Sequence, residues 1–476
     1  MGIIGGVLVR SSDQYDVIVI GGGNAAINAA LAVRHEGKRV LILERGSEHM
    51  RGGNTRHTRN IRYAHDAADD CCSGPYPEEV YLEDLVRQGA PVNMDLAKYT
   101  IHESKRLPQW MGEHGITWQS QLSGTLHQGH TNRWFLGGGK AMLNCYYRAA
   151  QRMGVEVRYN AHVEDLIIEN DRFEAAVVKS GTNGDSPDLV RGRSVIVASG
   201  GFEANLQWLK EYWGDAADNF IVRGTPLNDG AMLKALLQKG VKSVGDPKEF
   251  HAITVDARSP KYDGGIAIRL DAVPFGIVVN KEGRRFHDEG LNVWPIAYAR
   301  WGGLIAEQPG QIAYAIVDSK TINKFLPPMY PPYKAGSFEE LAGIAQINPK
   351  NFMETMAAYN RGTAGNTGVR IQYLDGVCTR EVTPPKTNWA LPVDVPPFYA
   401  FPMRPGITFT YMSVAVDDRA RVVDQRDRPF SNVYAAGEIM SGNILTKGYV
   451  GGIGLVIGAV FGQLAGREAA NMRHTS

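Results

Sequence analysis

Cysteine is scarce in this chain. Its four cysteines, Cys71, Cys72, Cys145 and Cys378, include no C-x-x-C pair, so the sequence offers no iron–sulfur or zinc ligand set and no metal site is expected. The adjacent Cys71 and Cys72 read as two reduced thiols of an intracellular protein. Long apolar runs are missing too. The opening MGIIGGVLVRSS is too short and too weakly flanked for a secretory leader. Residues 450–465 are shorter than a membrane span and are broken by glycines, so they read as a buried strand-to-helix junction and the protein as cytoplasmic. The formal net charge is only +1, which argues against a broad basic surface for nucleic acid but permits a local arginine cluster. No internal repeat is visible. The 54 glycines have no collagen-like period and sit in short clusters, as tight turns against a ligand require.

What is present is a sequence of 476 residues, long enough for two domains. Residues 15–20 (YDVIVI) form a short, continuously apolar, β-branched run, the signature of a parallel strand buried on both faces. A glycine cluster follows, then an alanine-rich helical stretch at 25–34, then a second buried strand at 40–43 (VLIL) ending at Glu44. Residues 95–115 carry an amphipathic helical pattern. Strands are expected at 155–159, 163–168, 175–179 and 195–198, with a polar hairpin tip at 180–188. From about 246 to 404 the character changes, with Pro-Pro pairs at 327–328, 331–332, 384–385 and 396–397. This predicts an α/β fold. A Rossmann-like dinucleotide-binding domain (1–245 and 405–476) carries an inserted α+β capping domain at 246–404.

Gly21-Gly22-Gly23-Asn24-Ala25-Ala26 fits G-x-G-x-x-G/A between the first strand and the helix. Gly21 allows the tight turn, Gly23 lets backbone approach a pyrophosphate, and Ala26 takes the third small position where helix meets strand. An anion there would sit at a helix N-terminus, and Glu44 can accept a hydrogen bond from a ribose hydroxyl.

Three later stretches extend the pattern: Gly52-Gly53-Asn54-Thr55, the strand-to-glycine run VIVASGG at 195–201, and VYAAGE at 433–438. With these the chain resembles the fumarate reductase/succinate dehydrogenase flavoproteins over nearly its whole length. The resemblance implies FAD as cofactor, held by Gly21, Gly23, Asn24, Ala25, Ala26, Glu44, Arg45, Gly53, Asn54, Thr55, Gly139, Val163, Ser199, Gly200, Gly437, Glu438 and Gly452. Ser199 stands where the family has threonine, a mild departure. Members with covalent flavin have histidine in place of Asn54, so non-covalent FAD is implied. His57 is out of register and reads as a surface histidine.

The insertion resembles the family's capping domain through IVVNKEGRRFHDE at 277–289, and Phe250-His251-Ala252-Ile253-Thr254 resembles its substrate-carboxylate histidine segment. Three departures stand out. The family's proton-donating arginine position falls on Val293, its second carboxylate histidine near Thr410, and its C-terminal carboxylate arginine near Tyr449. Ordinary fumarate reduction is therefore not expected. Tyr449-Val450-Gly451-Gly452 looks instead like the Tyr-Pro-Gly of ketosteroid dehydrogenases. Arg269, Arg404 and Lys447 add cations that suit a polycarboxylate better than a steroid.

The segments GGNTRHTRNIRY, GGGKAMLNCYYRAAQRMGVEVRY and FHDEGLNVWP look most like the FAD-dependent tricarballylate dehydrogenases, which oxidise tricarballylate to cis-aconitate. That resemblance implies hydride transfer from a saturated C–C bond to flavin N5. It also implies a separate iron–sulfur, membrane-associated electron acceptor, which would place the chain peripherally at the inner membrane. The expected catalytic set is His251, Arg269 and Arg404 as carboxylate ligands and Tyr449 as base, its acidity raised by Lys447. Tyr411 or a cap arginine is the alternative base. Two rival readings are another flavin desaturase or reductase of the family, and an electron-carrying flavoprotein related to cobalamin biosynthesis.

Overall fold

The computed structural model describes residues 2–4, 7–9, 15–120, 130–180, 187–371 and 373–472. Its larger sheet runs Arg421–Val423, Pro429–Ala435, Asp188–Val197, Tyr15–Ile20, Val40–Leu43, Glu156–Arg158. Every pairing inside this row is parallel except that of the edge strand Arg421–Val423. Val17, Ile18, Val19 and all of Val40–Leu43 are buried, as expected for strands covered on both faces. Asp188–Val197 also leaves this plane to pair antiparallel with Arg172–Ser180, which pairs with Ala161–Glu169. Most of the expected hairpin tip, residues 181–186, lies outside the described residues.

Helix Asn24–His35 packs on the C-terminal helix Ile453–Ala470. The contact is backbone to backbone: a Cβ at Gly462 would lie 2.4 Å from the Ala25 carbonyl oxygen, and one at Gly466 would lie 2.5 Å from that of Ala29. The glycines read in sequence as interruptions are thus a packing stripe four residues apart. Residues 453–470 are one continuous helix, where a strand-to-helix junction was expected. Among the described residues it alone is long and apolar enough to cross a membrane, and 78% of that stretch is buried inside the fold.

The second sheet is built around the long strand Phe398–Thr410, which pairs with Ile221–Val222, Phe250–Asp256, Ala313–Asp318 and Tyr333–Ala335. Ile277–Asn280 completes it. The sheet therefore claims chain from 221 to 410, beyond the composition change at 246–404, because its hub strand runs on into the cavity between the two sheets. The IVVNKEGRRFHDE stretch acts as a strut. The buried Arg285 donates through Nε to Glu289 Oε1 at 3.0 Å, and the same oxygen accepts the Val278 N–H at 2.8 Å. The expected helical stretch 95–115 is two helices, Met94–Ser104 and Leu107–Glu113.

Candidate active site

One long cavity joins the glycine turn to the second sheet. At its first end Gly21 has φ +107°, and a Cβ there would lie 2.4 Å from the Ala198 carbonyl oxygen, so only glycine fits. A Cβ at Gly22 would fall 2.0 Å from Glu44 Oε2. The Asn24 N–H at the helix start donates to Thr55 Oγ1 at 3.0 Å, which ties the turn to the short helix Gly53–His57. Burial pushes the Glu44 carboxyl up, against the Gly46 and Gly52 N–H groups that hold it down. Arg45 is anchored to Asp229 at 2.6 Å.

Further along, Asn54 Nδ2 donates to the carboxylate of the fully buried Glu203, and Asn54 Oδ1 accepts the Thr225 N–H at 2.9 Å. Asn228 Nδ2 donates to the same Glu203 oxygen at 2.8 Å. Glu438 accepts the Thr410 N–H at 2.8 Å. Burial and the charge of Glu203 push Glu438 well above the usual carboxyl range. The glycine turn, the open helix N-terminus, the Glu44 carboxyl and these fixed amides together make a cradle of the kind a dinucleotide needs, and FAD fits it.

The far end is cationic. Arg59, Arg223 and Arg269 all line it, together with His251, Tyr298 and Tyr449. Burial and neighbouring Arg269 lower Arg59 to about 9 and Arg223 to about 10, so both remain charged at neutral pH. Arg269 Nε donates to Asp271 Oδ1 at 2.6 Å, and its guanidinium lies 4.2 Å from the centre of the Tyr298 ring. Arg223 donates to the His57 carbonyl oxygen at 3.1 Å, while its Nε is buried with no hydrogen-bond partner. His251 Nδ1 is likewise buried and unpartnered.

Of the residues singled out in sequence, most of the proposed cofactor set lines this cavity. Ala26 and Gly139 do not. Ala26 is fully buried in the first helix, and a Cβ at Gly139 would lie 1.9 Å from the Thr55 carbonyl oxygen, so Gly139 supports the site from behind. His251, Arg269 and Tyr449 meet in the cavity, and Arg404 and Tyr411 stay outside it. Arg404 donates to the carbonyls of Gly310 and Gln311 at 2.9 and 3.3 Å. Tyr411 is fully buried and donates to the Gly448 carbonyl at 3.0 Å. Lys447 acts on Glu249, whose acidity it raises, and not on Tyr449. The Tyr449 phenol is pushed up by burial and then by Tyr298. His57 is no surface residue: it lines the cavity and meets Asp263 at 2.9 Å.

Sequence reasoning passed over Arg59, Arg223, Tyr298, Asn228 and Glu203. Arg59 had a signal, since GGNTRHTRNIRY places basic residues beside a glycine turn. Arg223 stands in no motif.

The profile of the FAD binding domain family matches residues 16–455. The probable fumarate reductase Ifc3 of Shewanella frigidimarina (strain NCIMB 400) is 25% identical over 474 residues, covering 96% of this chain and 75% of that protein. The NADH:fumarate oxidoreductase of Klebsiella pneumoniae (strain 342) is 25% identical over 468 residues, and the match covers 96% of this chain and 48% of that protein. Among solved structures, the 3-ketosteroid-Δ4-(5α)-dehydrogenase of Rhodococcus jostii RHA1 with 4-androstene-3,17-dione has the same fold. Its TM-score is 0.75 at 19% identity, covering 97% of this chain and 98% of that one.

Proposed function

The chain belongs to the FAD binding domain family of the fumarate reductase/succinate dehydrogenase flavoproteins, and from that premise we propose that it oxidises a saturated C–C bond of a polycarboxylate, with tricarballylate the best-fitting substrate. The observation that carries this reading is the cluster of Arg59, Arg223 and Arg269, with Asp271 the carboxylate that pairs directly with it among the described residues. A buried guanidinium whose Nε lacks a partner is costly unless a ligand completes it, and carboxylates match its fork. A steroid would leave these charges unmatched.

When bound, FAD supplies the hydride acceptor for the reaction. The chain's own residues do the rest. Arg223 and Arg59 hold carboxylates of the substrate. Arg269, fixed by Asp271, stabilises negative charge that develops on a carboxylate oxygen as a proton leaves the neighbouring carbon. His251 stays neutral, because burial and Arg223 lower it to about 3, and its free Nδ1 accepts or donates one further hydrogen bond. The Tyr449 and His251 rings stack with centroids 3.9 Å apart and form part of the wall at this end. Asn54 in place of a histidine supports non-covalent FAD. The resemblance of GGNTRHTRNIRY and FHDEGLNVWP to the tricarballylate dehydrogenases supports passage of electrons to a separate iron–sulfur partner at the membrane. The test is an anaerobic titration of the purified protein with tricarballylate, succinate and 4-androstene-3,17-dione. Bleaching of the flavin absorbance by tricarballylate is expected, and bleaching by the steroid alone would reject the reading.

A further inference from the structure

We propose that Tyr298 is the catalytic residue that takes the proton from substrate carbon. This deepens the polycarboxylate reading and rests on it for the identity of the substrate. Tyr298 lies on the cap helix Trp294–Ala306, lines the cavity and is buried. The helix starts one residue after Val293 and carries no carboxylate or histidine, so Tyr298 is its proton-accepting candidate at the cavity.

Two observations favour Tyr298 over Tyr449. The first is the cation: Arg269 sits 4.2 Å over the Tyr298 ring, a positive charge placed against the group that takes the proton. Arg269 cannot drift, because Asp271 holds its Nε at 2.6 Å, and Asp271 is itself fixed by the Trp294 indole N–H at 2.7 Å on the same helix. The second is hydrogen bonding. The Tyr449 hydroxyl accepts the Gly454 N–H at 3.0 Å. That N–H belongs to the first turn of Ile453–Ala470, so the bond pins Tyr449 to the backbone. The Tyr298 hydroxyl makes no hydrogen bond to another described residue, and it faces the Gly451 backbone at the cavity wall: a Cβ at Gly451 would lie 2.8 Å from it.

The step balances as a dehydrogenation. Tyr298 acts as the phenolate, having released its own proton to water before substrate enters. The C–H bond of the carbon next to the hydride-donating carbon then breaks, and its proton goes to Tyr298 Oη, which returns to the phenol. The electron pair forms the C=C bond, and the second hydrogen leaves with its pair to the family's FAD. Arg269 acts on Tyr298 and on the carboxylate alike.

The experiment compares Tyr298→Phe and Tyr449→Phe with wild type, in the FAD-loaded protein, by single-turnover flavin bleaching. The substrate is whichever of tricarballylate, succinate and the steroid bleaches wild type. Affinity for the unsaturated product, cis-aconitate for tricarballylate, is measured separately by calorimetry. General base catalysis contributes about 10²–10⁴-fold, so Tyr298→Phe should slow bleaching at least a hundredfold. Product affinity should change by less than threefold, and Tyr449→Phe should slow bleaching at least tenfold less than Tyr298→Phe does. Near-wild-type bleaching in Tyr298→Phe, or a hundredfold loss confined to Tyr449→Phe, overturns the assignment. If the steroid alone bleaches wild type and Tyr298→Phe still abolishes it, the polycarboxylate reading fails and the role of Tyr298 stands.

Discussion

His251 and Tyr449 lie face to face, with ring centroids 3.9 Å apart and planes 5° from parallel. Tyr298 meets the same imidazole edge-on at 6.0 Å. The imidazole is therefore enclosed by rings on two sides, with Arg223 and Arg269 adding positive charge nearby, and these surroundings favour its neutral form.

A pH dependence follows. Burial and Arg223 lower folded His251 to about 3, whereas an unfolded histidine titrates near 6.5. Between those values the unfolded chain binds the extra proton, so this residue's contribution to stability is complete above about 6.5 and is lost as pH falls toward 3. One group sets a slope of at most about 1.4 kcal/mol per pH unit. Denaturant melts of the FAD-free protein from pH 7 to 4 should show a shallower loss in His251→Asn than in wild type. Equal slopes would mean that His251 is already protonated in the fold.

The Arg285–Glu289 strut predicts a stability loss without a change in mechanism. Both side chains are almost wholly buried, and Glu289 also holds the Val278 N–H. Removing one member leaves the other charge buried and alone, at a cost of about 3–5 kcal/mol. Glu289→Ala should lower the urea midpoint markedly or fail to fold. A midpoint within error of wild type would contradict the strut.

For the cofactor, acid or heat precipitation should leave all FAD in the supernatant, since Asn54 offers no nucleophile. Flavin retained on the pellet would show a covalent link elsewhere. Gly22→Ala should weaken FAD binding at least tenfold, because its methyl displaces the Glu44 carboxyl, which it would approach to 2.0 Å. Loss of a hydrogen bond to a charged group, about 1.5–3 kcal/mol, sets that scale. Fluorescence titration of stripped protein with FAD measures it.

The glycine turn was legible because its constraints are local: each small residue faces something set by the same strand–turn–helix unit. Glu44 was legible at the end of the strand that closes this unit, while Asn54 and Glu438 came only from the resemblance to the family; all three line the cavity. The cationic end was not. Arg223 reaches the cavity only because Ile221–Val222 joins a sheet whose hub strand is nearly two hundred residues away in sequence. Arg404 lies on that same hub strand, yet turns to two carbonyls of a neighbouring turn. A charged residue's partner is a tertiary fact, and neither periodicity nor composition carries it. Tyr298 was hidden in the same way, since only the fold places Arg269 over its ring.

The arginine cluster yields the prediction that most directly tests the substrate class. Arg223 is buried, its Nε has no partner, and its Nη2 is held by the His57 carbonyl, so the guanidinium is aimed before any ligand arrives. Arg59 lies with its guanidinium 4.5 Å from the centre of the Trp134 ring, which fixes it from one face and leaves its edge to the cavity. Arg223→Ala and Arg59→Ala should each lower kcat/KM for tricarballylate by about 10- to 150-fold, corresponding to about 1.5–3 kcal/mol for a lost charge-assisted hydrogen bond. Much of the loss should appear in KM, because a carboxylate distant from the reacting bond is bound alike before and during the reaction. Arg223→Lys should recover less than half of the lost energy, since an ammonium cannot present the planar fork. The FAD content of every variant should match wild type, because these side chains stand at the end of the cavity away from the glycine turn. Loss of flavin from Arg223→Ala or Arg59→Ala would assign that arginine to the cofactor, and unchanged kinetics in both would remove the polycarboxylate site from this end of the cavity.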